Sequence, residues 1–200
     1  MSQISTNPVQ DRLWSKDFVL TLLVAHFIFT AFAGLFTIIP LYVVDRGGEI
    51  WHVGIVIGSM GVIGLSIRPF AGRWIESFGA KKVAVIGSAI FGIATLLHML
   101  AFNFWLIIPA RMLQGIGLAL TPVATATIVA NLAPVHRRGE AMSIIGNAIA
   151  TASMYSPVVA YWLFSRFGFE AAFIYTGAAA LIGTAIALRL STFQPTAPSS

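Results

Sequence analysis

A chain of 200 residues with 58% hydrophobic and 10% charged side chains, mean hydropathy +0.87, lacks the polar surface of a soluble globule, in which about 25% of residues are charged. The formal charge of +5 sits in short gaps between apolar runs and forms no continuous stripe, which argues against a nucleic-acid partner and for a membrane topology signal. With no cysteine there is no disulfide and no thiolate nucleophile or metal site, and no motif calls for a cofactor or a metal.

Residues 1–17 contain Asp11, Arg12, Lys16 and Asp17 and are expected to form a cytoplasmic N-terminal segment. The apolar run that follows, 18–44, is too long for the roughly 7–15-residue core of a signal peptide and long enough for a bilayer, which takes about 20 residues. Further apolar segments follow at 51–71, 83–102, 104–130, 141–164 and 171–190. Lipid cannot satisfy backbone N–H and C=O groups, so every one of these segments is predicted to be helical. Asn103 alone divides the third from the fourth, which predicts a tight hairpin. The expected fold is an all-α membrane protein of six transmembrane helices over 18–190, with 191–200 opening a cytoplasmic linker or tail.

A cytoplasmic N-terminus would place Arg12, Lys16, Arg73, Lys81, Lys82, Arg137, Arg138 and Arg189 inside, and only Arg46 and Arg166 outside. Basic loops stay inside, so both termini are expected in the cytoplasm, with a bacterial inner or plasma membrane as the location. A weak duplication accompanies this topology. Pro69 and Trp74 are spaced as Pro157 and Trp162 are, and the pairs Phe78-Gly79 and Phe167-Gly168 follow. The two sites fall on opposite membrane faces, which predicts two inverted three-helix repeats.

Polar side chains within the apolar segments are the candidate functional residues. His26 lies about 12 Å into the first segment and shares a face with Thr30, Gly34 and Thr37. Two roles suit it: a substrate or proton site, since imidazole changes charge near neutral pH, or a simple hydrogen bond to a neighbouring helix. His98 has no polar stripe around it and is expected to pack structurally. Arg111 lies inside the fourth segment, where a charge costs roughly 2.5–3.5 kcal/mol or more at mid-depth. It is expected to face the bundle interior or a watery cavity, the alternative being extension to the outer interface. Gln114, Thr121 and Thr125 continue its stripe, and Asn147 with Thr151 forms a shorter one in the fifth segment. His26, Thr30, Arg111 and Gln114 are expected to meet in a shared central cavity.

The charged stretch 66–85 contains "GRWIESFGAKK", which resembles the loop between helices two and three of the major facilitator superfamily, G-x-x-x-[DE]-[RK]-x-G-[RK]-[RK]. Gly72, Glu76, Gly79 and Lys81 fit; Ser77 and Ala80 depart from the pattern. "RMLQGIGLAL" is similar to the family's fourth-helix motif, R-x-x-Q-G-x-G, "RRGEAMS" to the start of its fifth helix, and "SPVVA" to a degraded antiporter motif, G-P-x-x-G-G. The resemblance covers about 18–190, one six-helix half. It implies a cytoplasmic gate built from Gly72, Arg73, Glu76, Gly79, Lys81 and Lys82, with Glu76 in a latch that favours the outward-facing state. For Glu76 a contact with a helix N-terminus or with Arg137 or Arg138 is expected; Lys81 and Lys82 also suit topology and lipid headgroups alone. Gly115, Gly117 and Pro157 are the expected helix-packing positions. Ala160 and Tyr161 replace the antiporter glycines, so antiport does not follow.

The function expected from the resemblance is secondary active transport by alternating access, with efflux of a small neutral or anionic organic solute or drug and the proton as coupling ion. The expected partners are the solute, the lipid bilayer and a second six-helix half, in the same full-length chain or a dimer partner; no nucleic acid is expected. An enzyme is not expected, because the chain lacks H-E-x-x-H, G-x-S-x-G and a pair of buried carboxylates, and it has no Walker phosphate loop for ATP hydrolysis. A six-helix channel or assembly subunit is the alternative.

Overall fold

The computed structural model describes residues 13–191; Arg12 and the expected linker residues 192–200 lie outside them. The helices are α1 (Lys16–Asp45), α2 (Ile50–Phe78), α3 (Ala80–Leu97), α4 (Ile107–Leu132) and α5 (Arg138–Leu188), with 3-10 turns at His98–Leu100, Phe104–Leu106 and Val135–Arg137. All five helices are long and apolar enough to cross a membrane, and no strand occurs among the described residues. Local chemistry sets several ends. Ser15 caps α1 by accepting the Phe18 N–H at 3.2 Å, and the Glu49 N–H donates to His52 Nδ1 at 2.8 Å at the start of α2. Between α3 and α4 the expected tight hairpin is instead a connection of 98–106, in which Asn103 accepts the Leu106 N–H at 3.2 Å.

The turn expected around 66–85 is much shorter than its charges suggest. α2 runs on to Phe78, and the whole reversal into α3 happens at Gly79, whose φ of 87° and ψ of 145° suit glycine. Gly72 lies inside α2, and a Cβ there would meet nothing within 4 Å, so it has no part in the turn.

Six separate helices are expected; five helical segments are found, the last of which, α5, is interrupted at Gly168. At 51 residues, α5 would measure about 76 Å if straight, against a hydrocarbon core of about 30 Å. It is not straight: Gly168 has φ 82° and ψ −177°, a conformation that only glycine adopts readily. The chain folds back there. Tyr175 Oη lies 3.4 Å from Ser156 Oγ, and the Phe164 and Phe169 rings are 4.5 Å apart, so arms 138–167 and 169–188 lie side by side. Gly168→Ala is expected to cost roughly 1–3 kcal/mol of strain, read as a lower unfolding midpoint in detergent. An unchanged midpoint would show that the reversal does not depend on glycine.

The elements then pack around two axes. α1 lies against both arms of α5, and α4 lies between α2 and α3. Close approach is built in by small residues. A Cβ on Gly115 would run into the Met60 carbonyl of α2, and one on Gly117 would come within 2.6 Å of the Gly87 carbonyl of α3. The core runs from Ile28, Leu35 and Ile38 of α1 through Phe91 of α3 to Phe173 of α5. α2 is the outlier: only 17% of its most apolar window is buried, against 56% in α1 and α4. One long apolar face of α2 is left uncovered by this chain.

Candidate functional site

Arg111 and Gln114 are three residues apart on α4 and therefore share a face. Arg111 Nη1 donates to Gln114 Oε1 at 2.8 Å, Gln114 Nε2 donates to Thr95 Oγ1 of α3 at 2.9 Å, and Thr95 donates to the Phe91 carbonyl at 2.8 Å. Arg111, Gln114 and Thr95 are fully enclosed by protein, so the guanidinium faces the bundle interior and does not reach for the outer interface. Arg111 Nε and Nη2 find no acceptor, and neither does His98 Nε2 find a donor. The cluster is rich in unused donors and holds no carboxylate. Such a site suits the oxygen of a carbonyl, a water or an anion.

His98, also buried, follows Thr95 by three residues. Its Nδ1 lies 2.9 Å from the Ala94 carbonyl and its ring stacks on Phe173 at 5.5 Å, while the Tyr42 hydroxyl donates to the His98 carbonyl at 2.8 Å. Thr121 and Thr125 are buried, but their hydroxyls donate to the Gly117 and Thr121 carbonyls of their own helix, both at 3.0 Å. They extend the stripe without offering a free donor.

A second cluster joins α1 to the first arm of α5. His26 Nδ1 lies 2.9 Å from the Ala148 carbonyl and Nε2 lies 2.9 Å from the Tyr155 hydroxyl. Thr30 Oγ1 is 2.8 Å from the same hydroxyl and donates to the His26 carbonyl at 2.9 Å. Ser156 Oγ donates to the Thr30 carbonyl at 2.5 Å. His26 and Thr30 thus meet as their shared face predicts, but no hydrogen bond links them to Arg111 and Gln114. Their hydrogen bonds fall into two groups, Arg111 with Gln114 and Thr95, and His26 with Thr30 and Tyr155. Asn147 is exposed, and its carbonyl accepts from Thr151 at 2.8 Å; Asn147, Thr151 and Tyr155 fall on one stripe of α5 at four-residue spacing. That spacing was the available signal for Tyr155.

At the expected gate, Arg73, Glu76 and Lys82 are exposed and Lys81 is partly buried. Glu76 forms neither expected contact: it makes no hydrogen bond or ion pair among the described residues, and Arg137 instead holds Glu140 through Nε at 2.8 Å and Nη2 at 2.7 Å. Gly115 and Gly117 sit at helix contacts as expected, and Pro157 lies half-buried in α5. Arg68 was missed by the sequence reading. It borders a groove of about 710 Å³ between α2, α4 and α5, whose lining includes Leu118, Pro122, Thr127, Met142 and Arg138. The signal was a lone charge inside the second apolar segment, the same argument that singled out Arg111.

A family match decides what this arrangement belongs to: residues 52–200 match the family model for the Major Facilitator Superfamily. The chain belongs to the major facilitator superfamily. Among curated relatives of this facilitator chain, multidrug resistance protein 2 of Bacillus subtilis (strain 168) is 31% identical over 160 residues, covering 78% of this chain and 39% of that protein. Multidrug resistance protein MdtL of Salmonella dublin is 30% identical over 113 residues, 56% of this chain and 29% of that one. The fold matches the in meso crystal structure of the POT family transporter PepTSo with a TM-score of 0.77, covering 93% of this chain and 40% of that chain at 15% identity. The facilitator chain therefore spans about two fifths of the length of its Bacillus subtilis relative.

Proposed function

We propose that this chain is one half of a secondary active transporter that exports a small neutral or anionic organic solute or drug by alternating access, coupled to protons. The observation that carries the solute class is the Arg111 cluster: two donor nitrogens, Nε and Nη2, without an acceptor in the bundle interior, with no Asp or Glu buried among the described residues. A cation placed there would meet a guanidinium and no countercharge. The names of the multidrug-resistance relatives support drug export.

The membrane arrangement follows from the same residues. We read the two arms of α5 as separate crossings, which makes six, and the sequence repeat as inverted, because Gly79 and Gly168 each follow a phenylalanine and each reverse the chain at positive φ. Both termini are assigned to the cytoplasm of a bacterial inner membrane, from the basic residues beside Gly79 and before α5. The uncovered face of α2, with the groove beside Arg68, is where a second six-helix half would close the pathway.

Glu76, with no hydrogen bond or ion pair among the described residues, is available to latch onto that second half. Glu76→Gln is expected to shift the balance toward the inward-facing state, read as about a twofold or larger change in the ratio of periplasmic to cytoplasmic cysteine labelling; a factor of two corresponds to about 0.4 kcal/mol. Equal labelling ratios in the two proteins would remove Glu76 from the latch. The transport reading itself is tested by flux of an anionic dye in proteoliposomes under an imposed pH gradient. Saturable, gradient-driven flux is expected. Non-saturating flux would favour a channel, and no flux an assembly subunit.

A further inference from the structure

The hydrogen bonds around His26 fix where its protons must be. The Ala148 carbonyl can only accept, so the His26 nitrogen 2.9 Å from it, Nδ1, carries a hydrogen whatever the charge on the ring. That leaves Nε2 as the one nitrogen that gains or loses a proton, and its hydrogen-bond partner among the described residues is the Tyr155 hydroxyl at 2.9 Å. When His26 is neutral, Tyr155 donates to Nε2. When Nε2 is protonated it becomes the donor, and the Tyr155 hydrogen must find another acceptor. Thr30 Oγ1, 2.8 Å away, is that acceptor, because its own hydrogen is already directed at the His26 carbonyl at 2.9 Å. Both charge states therefore leave every donor satisfied, and they differ by one added proton and one rotation of a phenol O–H.

We propose that His26 and Tyr155 form a proton-binding pair between α1 and the first arm of α5, in which protonation at His26 Nε2 reverses the hydrogen bond to Tyr155. Tyr155 is 37% exposed on an uncovered face of the chain, which gives the proton a way in, while Thr30 is buried on the other side. Among the described residues no charged side chain hydrogen-bonds His26 or Tyr155, and of the helices packed on α1, α2 carries His52, Arg68, Arg73 and Glu76 and α3 carries Lys81 and Lys82. From α5 the titratable groups on this side are Tyr155 itself and Tyr175, whose hydroxyl is within 3.4 Å of Ser156 Oγ, which in turn donates to the Thr30 carbonyl. α4, also packed on α1, carries Arg111 as its one charge, and that guanidinium bonds Gln114 and not the pair. The ionisable side chains of α1 other than His26 are Lys16, Asp17, Tyr42 and Asp45, toward its two ends. The inference deepens the transport reading and rests on it for its consequence: each proton taken up rewires the contact between α1 and α5, two elements that would have to shift in alternating access.

The test is nitrogen NMR of the full-length protein labelled with 15N-histidine in lipid nanodiscs, followed against pH, with the His26 signals identified by their loss in His26→Gln. Neutral His26 is expected as the Nδ1–H tautomer, and acidification is expected to protonate Nε2. Tyr155→Phe removes an acceptor from the cation and a donor from the neutral ring. The nitrogen signal of Nε2 in the neutral ring is therefore expected to move toward that of an imidazole nitrogen with no donor beside it. A neutral Nε2–H tautomer in wild type overturns the pair even if the variant fails to fold, and an unmoved Nε2 signal in folded Tyr155→Phe does so too. Neither readout depends on flux, so loss of transport alone would count against the transport reading and not against the pair.

Discussion

Arg111→Ala is expected to lower the initial rate of solute transport by at least about 100-fold at equal protein levels. The side chain offers two donor nitrogens without an acceptor, Nε and Nη2, from a fully buried guanidinium. Hydrogen bonds to charged groups contribute about 1.5–3 kcal/mol each, and tenfold in rate or affinity corresponds to about 1.4 kcal/mol. Alanine also leaves the Gln114 oxygen without its donor, while relieving the cost of a buried charge, so insertion and folding should survive. Arg111→Lys keeps the charge but loses the planar fork, and an intermediate loss of roughly tenfold is expected. Wild-type flux from a folded Arg111→Ala protein would take Arg111 out of the mechanism.

The second large effect is structural. A Cβ on Gly117 would lie 2.6 Å from the Gly87 carbonyl and 2.9 Å from the Phe91 nitrogen, and backbone atoms cannot swing aside as side chains do. Gly117→Leu must push α4 from α3 and break the Gln114–Thr95 hydrogen bond that spans them. Overpacking costs about 1–3 kcal/mol and more against backbone, and for a chain of this size each kcal/mol moves the unfolding midpoint by about 2–4 °C. A fall of about 6–12 °C in detergent is expected. Gly146→Leu is the control, since a Cβ there meets nothing within 4 Å. Equal shifts in the two variants would show that the α3–α4 contact tolerates the extra volume.

Much of this was legible in the sequence because lipid enforces simple rules. Apolar runs had to be helices, and a lone arginine within one had to face inward, as Arg111 does. Its three-residue spacing from Gln114 carried the main bond of the cluster. The errors have physical causes. Polarity marks where a helix leaves the membrane and not where it ends, so α2 continues through Arg73 and Glu76 to Phe78. The break between the fifth and sixth segments was legible, because Ser165, Arg166 and Glu170 interrupt the apolar run, and the structure puts the reversal itself at Gly168. Stripes locate a face without naming the helix it meets: Arg111 turns to α3, and His26 to α5. Tyr155 pairs with His26 across 129 positions, a contact no local pattern contains.

Counterflow tests the central claim most directly. The purified full-length protein in proteoliposomes preloaded with an unlabelled organic anion should accumulate the labelled anion transiently above its external concentration, in the absence of any ion gradient. That overshoot requires a site that alternates between the two faces, and a matched organic cation should produce none. Simple equilibration of the anion without overshoot, or an overshoot for the cation alone, would contradict the account of a carrier organised around Arg111.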